Sequence, residues 1–286
     1  PLSKDQKRSP SSMNRIRRLS VALMVAGVLG VAAPVAASAT TTITISGATA
    51  SYPLVALLAQ KYIKVHPHKV KFKITQGGAQ IGVNDVAAGR VTIGDVSRDP
   101  LAADPKGLVF YPIAKYAICV VTNKANTLSN LTQSQLTAIF TGKTRSWSGV
   151  PGATASGPID LISRTSVAGV LTNFQTLLLE GKKVSTLAAE EPSEGLLRQQ
   201  VESDPSGIGF LSNYQSDKGG LNVVSFNGVG CSKATAEAGT YAGVARFYEV
   251  TKGKASGAAS AFIGWIEKSA AAKKIIATQW IPIPSS

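Results

Sequence analysis

The sequence has 286 residues, enough for one large domain or two of ordinary size. Hydrophobic residues make up 44% and charged residues 16%, which excludes a coiled coil and a charge-driven disordered chain, while 27 Gly and 14 Pro imply frequent turns. A formal charge of +14 points to an acidic partner, and two Cys with two His are too few for a disulfide scaffold or a structural zinc site.

Met13-Asn14-Arg15-Ile16-Arg17-Arg18 is a basic run, residues 19–33 carry no charge, Pro34 breaks the apolar stretch, and Ala37-Ser38-Ala39 is a small-x-small cleavage site. Together they predict that residues 1–39 are upstream sequence and a secretory signal peptide. The apolar run is shorter than the roughly 20 residues of a membrane span. Export places the mature chain in the periplasm or the extracellular and cell-wall space. Residues 40–286 keep 24 basic and 15 acidic residues, a net +9. No helix-turn-helix, zinc-finger or RNA-binding signature accompanies that charge, so small anions and cell-wall polymers, not nucleic acid, are the expected partners.

Ile43 and Ile45 alternate with polar residues and predict a strand over 41–46. Residues 47–51 form a small-residue loop, and Pro53 suits the first turn of a helix with the apolar stripe Leu54, Leu57, Leu58 and Tyr62. His66-Pro67-His68 ends it. Val70, Phe72 and Ile74 predict a strand, Gly77-Gly78 opens a helix carrying Ile81, Val83 and Val86, and residues 91–96 form a short strand. Two apolar runs follow at 108–111 and 116–122. Thr132-Gln133-Ser134-Gln135 is a capping box for a helix through Phe140. Then come a strand at 159–163, a loop at 164–170, a helix to Glu180, an amphipathic helix at 192–203, strands at 207–211 and 221–226, and helices at 255–268 and 270–277. Strands alternating with helices predict an α/β fold with parallel sheets, and the length suits two lobes.

Three loops join a strand end to a helix start: Thr49-Ala50-Ser51-Tyr52, Gly77-Gly78-Ala79-Gln80, and Arg164-Thr165-Ser166-Val167-Ala168-Gly169. In open α/β sheets ligands bind at the carboxyl ends of strands. Helix starts there offer N–H groups and a positive dipole end to an anion, and Arg164 adds a permanently charged fork. The alternative is that these are the ordinary helix-starting loops of any α/β protein.

The segments Ser46-Gly47-Ala48-Thr49-Ala50-Ser51-Tyr52-Pro53-Leu54, Gly82-Val83-Asn84-Asp85, Ile93-Gly94, Ser97-Arg98, Ile139-Phe140-Thr141-Gly142, Trp147, Gly207-Ile208-Gly209-Phe210, Phe247-Tyr248-Glu249-Val250-Thr251-Lys252-Gly253, Phe262-Ile263-Gly264-Trp265-Ile266 and Ile281-Pro282-Ile283 carry a resemblance in their order and spacing. The chain resembles the phosphate-binding proteins of bacterial phosphate ABC transporters, type II periplasmic solute-binding proteins. The resemblance implies two α/β lobes, each a mainly parallel sheet flanked by helices, joined by two hinge strands and closing over a dehydrated oxyanion. It places lobe 1 at 40–115 plus 226–286 and lobe 2 at 116–225. Cys119 and Cys231 then lie just past the crossovers, either as a disulfide or as two unrelated thiols.

By the same resemblance, Thr49, Ser51, Tyr52, Gly78, Ala79, Gln80, Ser97, Arg98, Arg164, Ser166, Ala168 and Gly169 form the ligand set. Three places where the family carries a hydroxyl hold Ala79, Ala168 and Val170. The implied partners are inorganic phosphate or another small oxyanion and an ABC transporter permease, with a monomeric mature chain. The competing reading is a secreted binding-protein-like domain that has lost phosphate and takes another solute or serves as an interaction module.

Asp95 or Asp99 is a candidate acceptor for the proton of a protonated oxyanion, against a turn or capping role. His66 and His68 are a weak metal pair beside Pro67. Lys69, Lys71 and Lys73 read as the wet face of a strand that steers anions. Trp147 and Trp265 read as packing residues. The sequence has no G-x-S-x-G elbow, H-E-x-x-H or P-loop lysine, so neither an enzyme nor a cofactor is expected.

Overall fold

A computed structural model describes residues 40–284; the signal peptide expected over 1–39 lies outside the described residues. The order of elements is β1 (Thr41–Gly47), α1 (Tyr52–Val65), β2 (Val70–Gln76), α2 (Ala79–Ala87), β3 (Ile93–Val96), β4 (Leu108–Asn123), β5 (Asn130–Leu131), α3 (Gln133–Phe140), a 3-10 turn (Trp147–Gly149), β6 (Asp160–Arg164), α4 (Gly169–Leu177), β7 (Ala189–Glu191), α5 (Glu194–Ser203), β8 (Gly207–Ser212), α6 (Asn213–Ser216), β9 (Leu221–Phe226), α7 (Lys233–Glu237), β10 (Val244–Lys252), α8 (Gly257–Lys268) and α9 (Ala270–Gln279). Among the described residues, no helix is long and apolar enough to cross a membrane.

The strands run β2-β1-β3-β10-β4-β8-β6-β7, with β9 on β4 and β5. β1 is parallel to β2 and β3, and β6 to β7 and β8, as βαβ crossovers require. β10, by contrast, is antiparallel to both β3 and β4, and β4 to β8 and β9, so the sheet is mixed around β4.

The apolar runs at 108–111 and 116–122 are parts of one strand. Pro112 between them has no N–H, and the register with β10 shifts there: Tyr248 pairs with Pro112 and Phe247 with Ala114. The bulge lets the strand continue past the proline. The first part of β4 pairs with β10 and its last residues with β8 and β9. β10 itself was not among the elements expected from periodicity.

Local signals explain many ends. Pro53 sits in the first turn of α1, and Thr132 with Gln135 closes the capping box of α3. α1 buries Leu54, Val55, Leu58, Ala59 and Tyr62 against the sheet, which leaves Leu57 on the outside; Ile81 of α2 is also exposed. Tyr62 meets Phe72, Phe262 and Trp265 edge-on, while Phe174 stacks on Phe210 at 4.0 Å beneath α4. Trp147 is buried and its indole N–H donates to Ser206 O at 3.0 Å.

Cys119 of β4 and Cys231, ahead of α7, form a disulfide across 112 residues of sequence, with Cα atoms 5.4 Å apart. A crosslink of that span removes a large loop entropy from the unfolded chain. The C119S/C231S double variant is therefore expected to be about 2–5 kcal/mol less stable in urea unfolding. A loss below 1 kcal/mol would mean that the loop is already ordered without the bond.

Candidate functional site

Four strand ends meet at one place, three of them leading into helices. β1 runs into α1, β2 into α2, β3 ends at Val96 ahead of Ser97, and β6 runs into α4. Ala48, Thr49, Ala50, Gly78, Ala79, Ser97, Arg164, Ala168, Gly169 and Val170 line a narrow space between them, too tight here to admit a water molecule. All ten lining residues are buried.

The approach of the loops depends on two glycines. Gly78 has φ +111°, and a Cβ on it would lie 2.8 Å from Val167 Cγ2 and 2.9 Å from Val167 O. A Cβ on Gly169 would lie 2.7 Å from Ser97 Oγ. Only bare backbone fits between these chains. Across the same gap Gln80 N donates to Val167 O at 3.0 Å, and Asn173 Nδ2 donates to Ser97 O at 2.8 Å and to Tyr116 Oη at 3.1 Å.

The helix starts have a common property. The N-caps of α1, α2 and α4 are Ser51, Gly78 and Ala168, and none accepts a first-turn N–H with its side chain. Elsewhere, Thr132, Ser193, Ser232 and Ser269 do cap their helices, whereas Ser212 of α6 and Ser256 of α8 do not. Three helix starts around one space present first-turn N–H groups that no N-cap side chain takes, and three positive dipole ends, the environment an anion needs.

Arg164 supplies the full positive charge. It is 1% exposed, with Nε donating to Glu191 O at 2.9 Å and Nη2 to Pro192 O at 3.0 Å and Thr49 Oγ1 at 3.1 Å. Among the described residues no acceptor takes its Nη1. Burial pulls the Arg164 guanidinium down from its usual range, and the Glu194 charge opposes this. Glu194 is pushed up by burial, opposed first by Arg164; it accepts from Ser212 N at 2.7 Å and Ser212 Oγ at 2.6 Å. Glu194 N also donates to Thr49 Oγ1 at 3.4 Å. Both lone pairs of the Thr49 hydroxyl are then occupied, which leaves its single proton for an acceptor in the enclosed space.

Of the residues expected at the ligand, Thr49, Gly78, Ala79, Ser97, Arg164, Ala168 and Gly169 stand in this lining. The other five stand outside it. Ser51 is buried beneath the α1 start and donates to Asp95 Oδ1 at 2.5 Å. Tyr52 is half-buried in the first turn of α1. Gln80 accepts from Arg98 Nη2 at 2.7 Å and donates to Asn84 at 3.1 Å. Arg98 forks onto Asp104 at 2.7 and 2.9 Å and donates to Asp99 O, so its charge is spent on a buried ion pair. Ser166 is exposed in the turn closed by Ala168 N and Thr165 O, and it faces a separate groove with Lys183 and Glu190. Asp99 is 61% exposed, accepts from Tyr248 Oη and lies 3.6 Å from Arg246. Glu194 and Asn173 were not among the expected residues, because their parts arise from packing and leave no motif.

A second buried cluster lies beside the site. Asp95 on β3 and Glu249 on β10 are cross-strand neighbours, 2% and 0% exposed. Burial pushes Asp95 up to about 7, against the Ser51 hydrogen bond, and pushes Glu249 well above the usual range, with the Asp95 charge adding to it. Among the described residues neither Glu249 oxygen has a hydrogen-bond partner. His66 closes α1 with Nδ1 3.1 Å from Tyr62 O, and the described residues contain no cluster of three or more His, Cys, Asp or Glu able to hold a metal.

Known proteins resemble this chain in sequence and fold. The family model for the PBP superfamily domain matches residues 34–269. The phosphate-binding protein PstS of Bacillus subtilis (strain 168) is 27% identical over 246 residues, covering 84% of this chain and 80% of that one. Two solved structures are similar: a phosphate ABC transporter substrate-binding protein of Clostridium perfringens with bound phosphate (26% identity, TM-score 0.79) and an ABC-type phosphate transport receptor of Vibrio cholerae (25% identity, TM-score 0.69). Each covers 85% of this chain and 100% of its own length. The α/β architecture is that of the type II solute-binding proteins, and the chain belongs to the PBP superfamily domain family.

Proposed function

We propose that this chain is an exported solute-binding protein that captures a small oxyanion, inorganic phosphate, between two lobes and delivers it to an ABC transporter permease. The observation that carries this reading is the convergence of three uncapped helix starts and the buried Arg164 on one enclosed space. The relatives named for phosphate binding and phosphate transport supply the ligand. The disulfide supports export, since such bonds persist in oxidising compartments.

Binding follows from the parts. Arg164 and the dipole ends balance the ligand's charge after it loses water, and the Thr49 hydroxyl, Ser97 and backbone N–H groups take its oxygens. Ala79, Ala168 and Val170 in the lining donate nothing from their side chains. A hydrogen bond to a charged group contributes about 1.5–3 kcal/mol, so selectivity and affinity here rest on main chain and one guanidinium. The relatives are named for solute binding and transport, and the role read for this chain is capture.

Isothermal titration tests the reading. The protein is expected to bind one inorganic phosphate, with closure visible by small-angle scattering. Absence of heat at millimolar phosphate, together with closure around another solute, would favour the reading in which phosphate binding has been lost.

A further inference from the structure

The charge of the mature chain is segregated. Residues 40–115 and 244–286 hold 15 Lys and Arg against 6 Asp and Glu, whereas residues 116–243 hold 9 of each. Five of those six acids are already engaged or hidden. Asp85 pairs with Arg90, Asp104 with Arg98 and Asp99 with Arg246, while Asp95 and Glu249 are buried. Glu267 remains exposed against exposed lysines that include Lys64, Lys69, Lys71, Lys73, Lys106, Lys252, Lys254, Lys268 and Lys274.

One group of these lysines forms an ordered row. β2 ends the sheet, and its residues alternate: Phe72 and Ile74 pack on the core under α1, while Lys71 and Lys73 point to the opposite face and are exposed. In register beside them on β1 stand Thr42 and Thr44, and Lys69 lies at the head of the strand. Alternate strand residues are about 7 Å apart in a straight line. A straight row of ammonium groups flanked by hydroxyls suits a linear chain of anionic groups, because both side-chain types can contact phosphates spaced along it without reading any sequence. The exposed apolar residues Leu57, Ile63 and Val65 stand on α1, on the other face of the sheet; on the lysine face α2 exposes Ile81, too small an apolar surface to insert into a bilayer. The oxyanion space lies elsewhere, among the loops at the carboxyl ends of the strands.

We propose that Lys69, Lys71 and Lys73, with Thr42 and Thr44, form a docking surface for a linear phosphate-bearing polyanion, separate from the oxyanion site. This surface holds the protein on an anionic polymer while its ligand site stays available.

The test uses long-chain inorganic polyphosphate as the probe, with the full protein saturated in orthophosphate so that the oxyanion site does not report. Affinity is followed by fluorescence anisotropy from 50 to 300 mM salt. The K69Q/K71Q/K73Q variant is expected to bind at least tenfold more weakly at 100 mM salt. Its slope of log K against log salt should be shallower by about two, the value for three lost contacts with a single-stranded polyanion. Its melting temperature and orthophosphate titration should be unchanged. K106Q/K252Q/K254Q, which removes the same charge around the contact between Gly107 and Gly253, should lose less than threefold. Equal losses in the two triple variants would reduce the effect to net charge and overturn the proposal. So would no polyphosphate binding by the native protein, or tighter binding to phosphatidylglycerol vesicles than to polyphosphate. Orthophosphate titration is read separately, so failure here is distinct from failure of the proposed ligand.

Discussion

Replacing Glu249 with Met is expected to stabilise the protein at pH 8 by about 3 kcal/mol and to change little at pH 4.5. Asp95 has a folded-state value of about 7 against an ordinary value of 3.8, and Glu249 lies well above 4.5. For an acid raised on folding, the native state binds the proton more tightly than the unfolded state. The stability this provides is fully present below the unfolded value and is lost as pH rises through the folded one. Native stability should thus fall between about pH 4 and pH 7 from Asp95, and further above that from Glu249. Three pH units for Asp95 correspond to about 4 kcal/mol. Met fills a similar volume without charge and also relieves Asp95 of its neighbour. Urea unfolding at the two pH values measures this. A gain of equal size at both would show that shape, not ionisation, is responsible, and a loss at pH 8 would show that Glu249 has a partner that stabilises its charge.

The same pair explains why part of the fold was illegible in the sequence. Signals confined to a few residues were readable: Pro53 at a helix start, the Thr132 capping box, and the alternation of Val70, Phe72 and Ile74. β10 was not, because Arg246 and Glu249 interrupt its apolar pattern, and only the neighbouring strands β3 and β4 make it a strand. β4 was split at Pro112 because the bulge that accommodates the proline is defined by its partner. The site divides in the same way. Small-residue loops after strands singled out Thr49, Gly78, Ala79, Arg164, Ala168 and Gly169 as candidates, the family resemblance added Ser97, and all seven share one lining. Arg98 bears the same charge as Arg164, but Asp104, six residues on, captures it. Which of two arginines serves a ligand is decided by which finds a carboxylate first, and spacing does not carry that.

Arg164 therefore has no substitute, and its replacement is expected to have the largest effect on binding. R164M should weaken phosphate binding by a factor of about 100 or more, the loss of at least one charge-assisted hydrogen bond of roughly 1.5–3 kcal/mol together with the buried charge itself. It also leaves Glu194 buried without the cation that opposes its upward shift, so the fold weakens as well, by about 3 kcal/mol. R164K separates the two effects. Lysine keeps a charge near Glu194 but has no planar fork to serve Thr49, Glu191, Pro192 and a ligand together. R164K is expected to melt within a few degrees of the native protein and to bind phosphate about 10–100-fold more weakly. T49V removes the hydroxyl that Arg164 holds, and because the two side chains touch, the R164K/T49V double variant should lose less than the sum of the single losses. Phosphate titrations of the four proteins at one pH complete the cycle. Binding by R164K within threefold of the native value would remove the guanidinium from the ligand's coordination and leave the helix starts as the whole of the site.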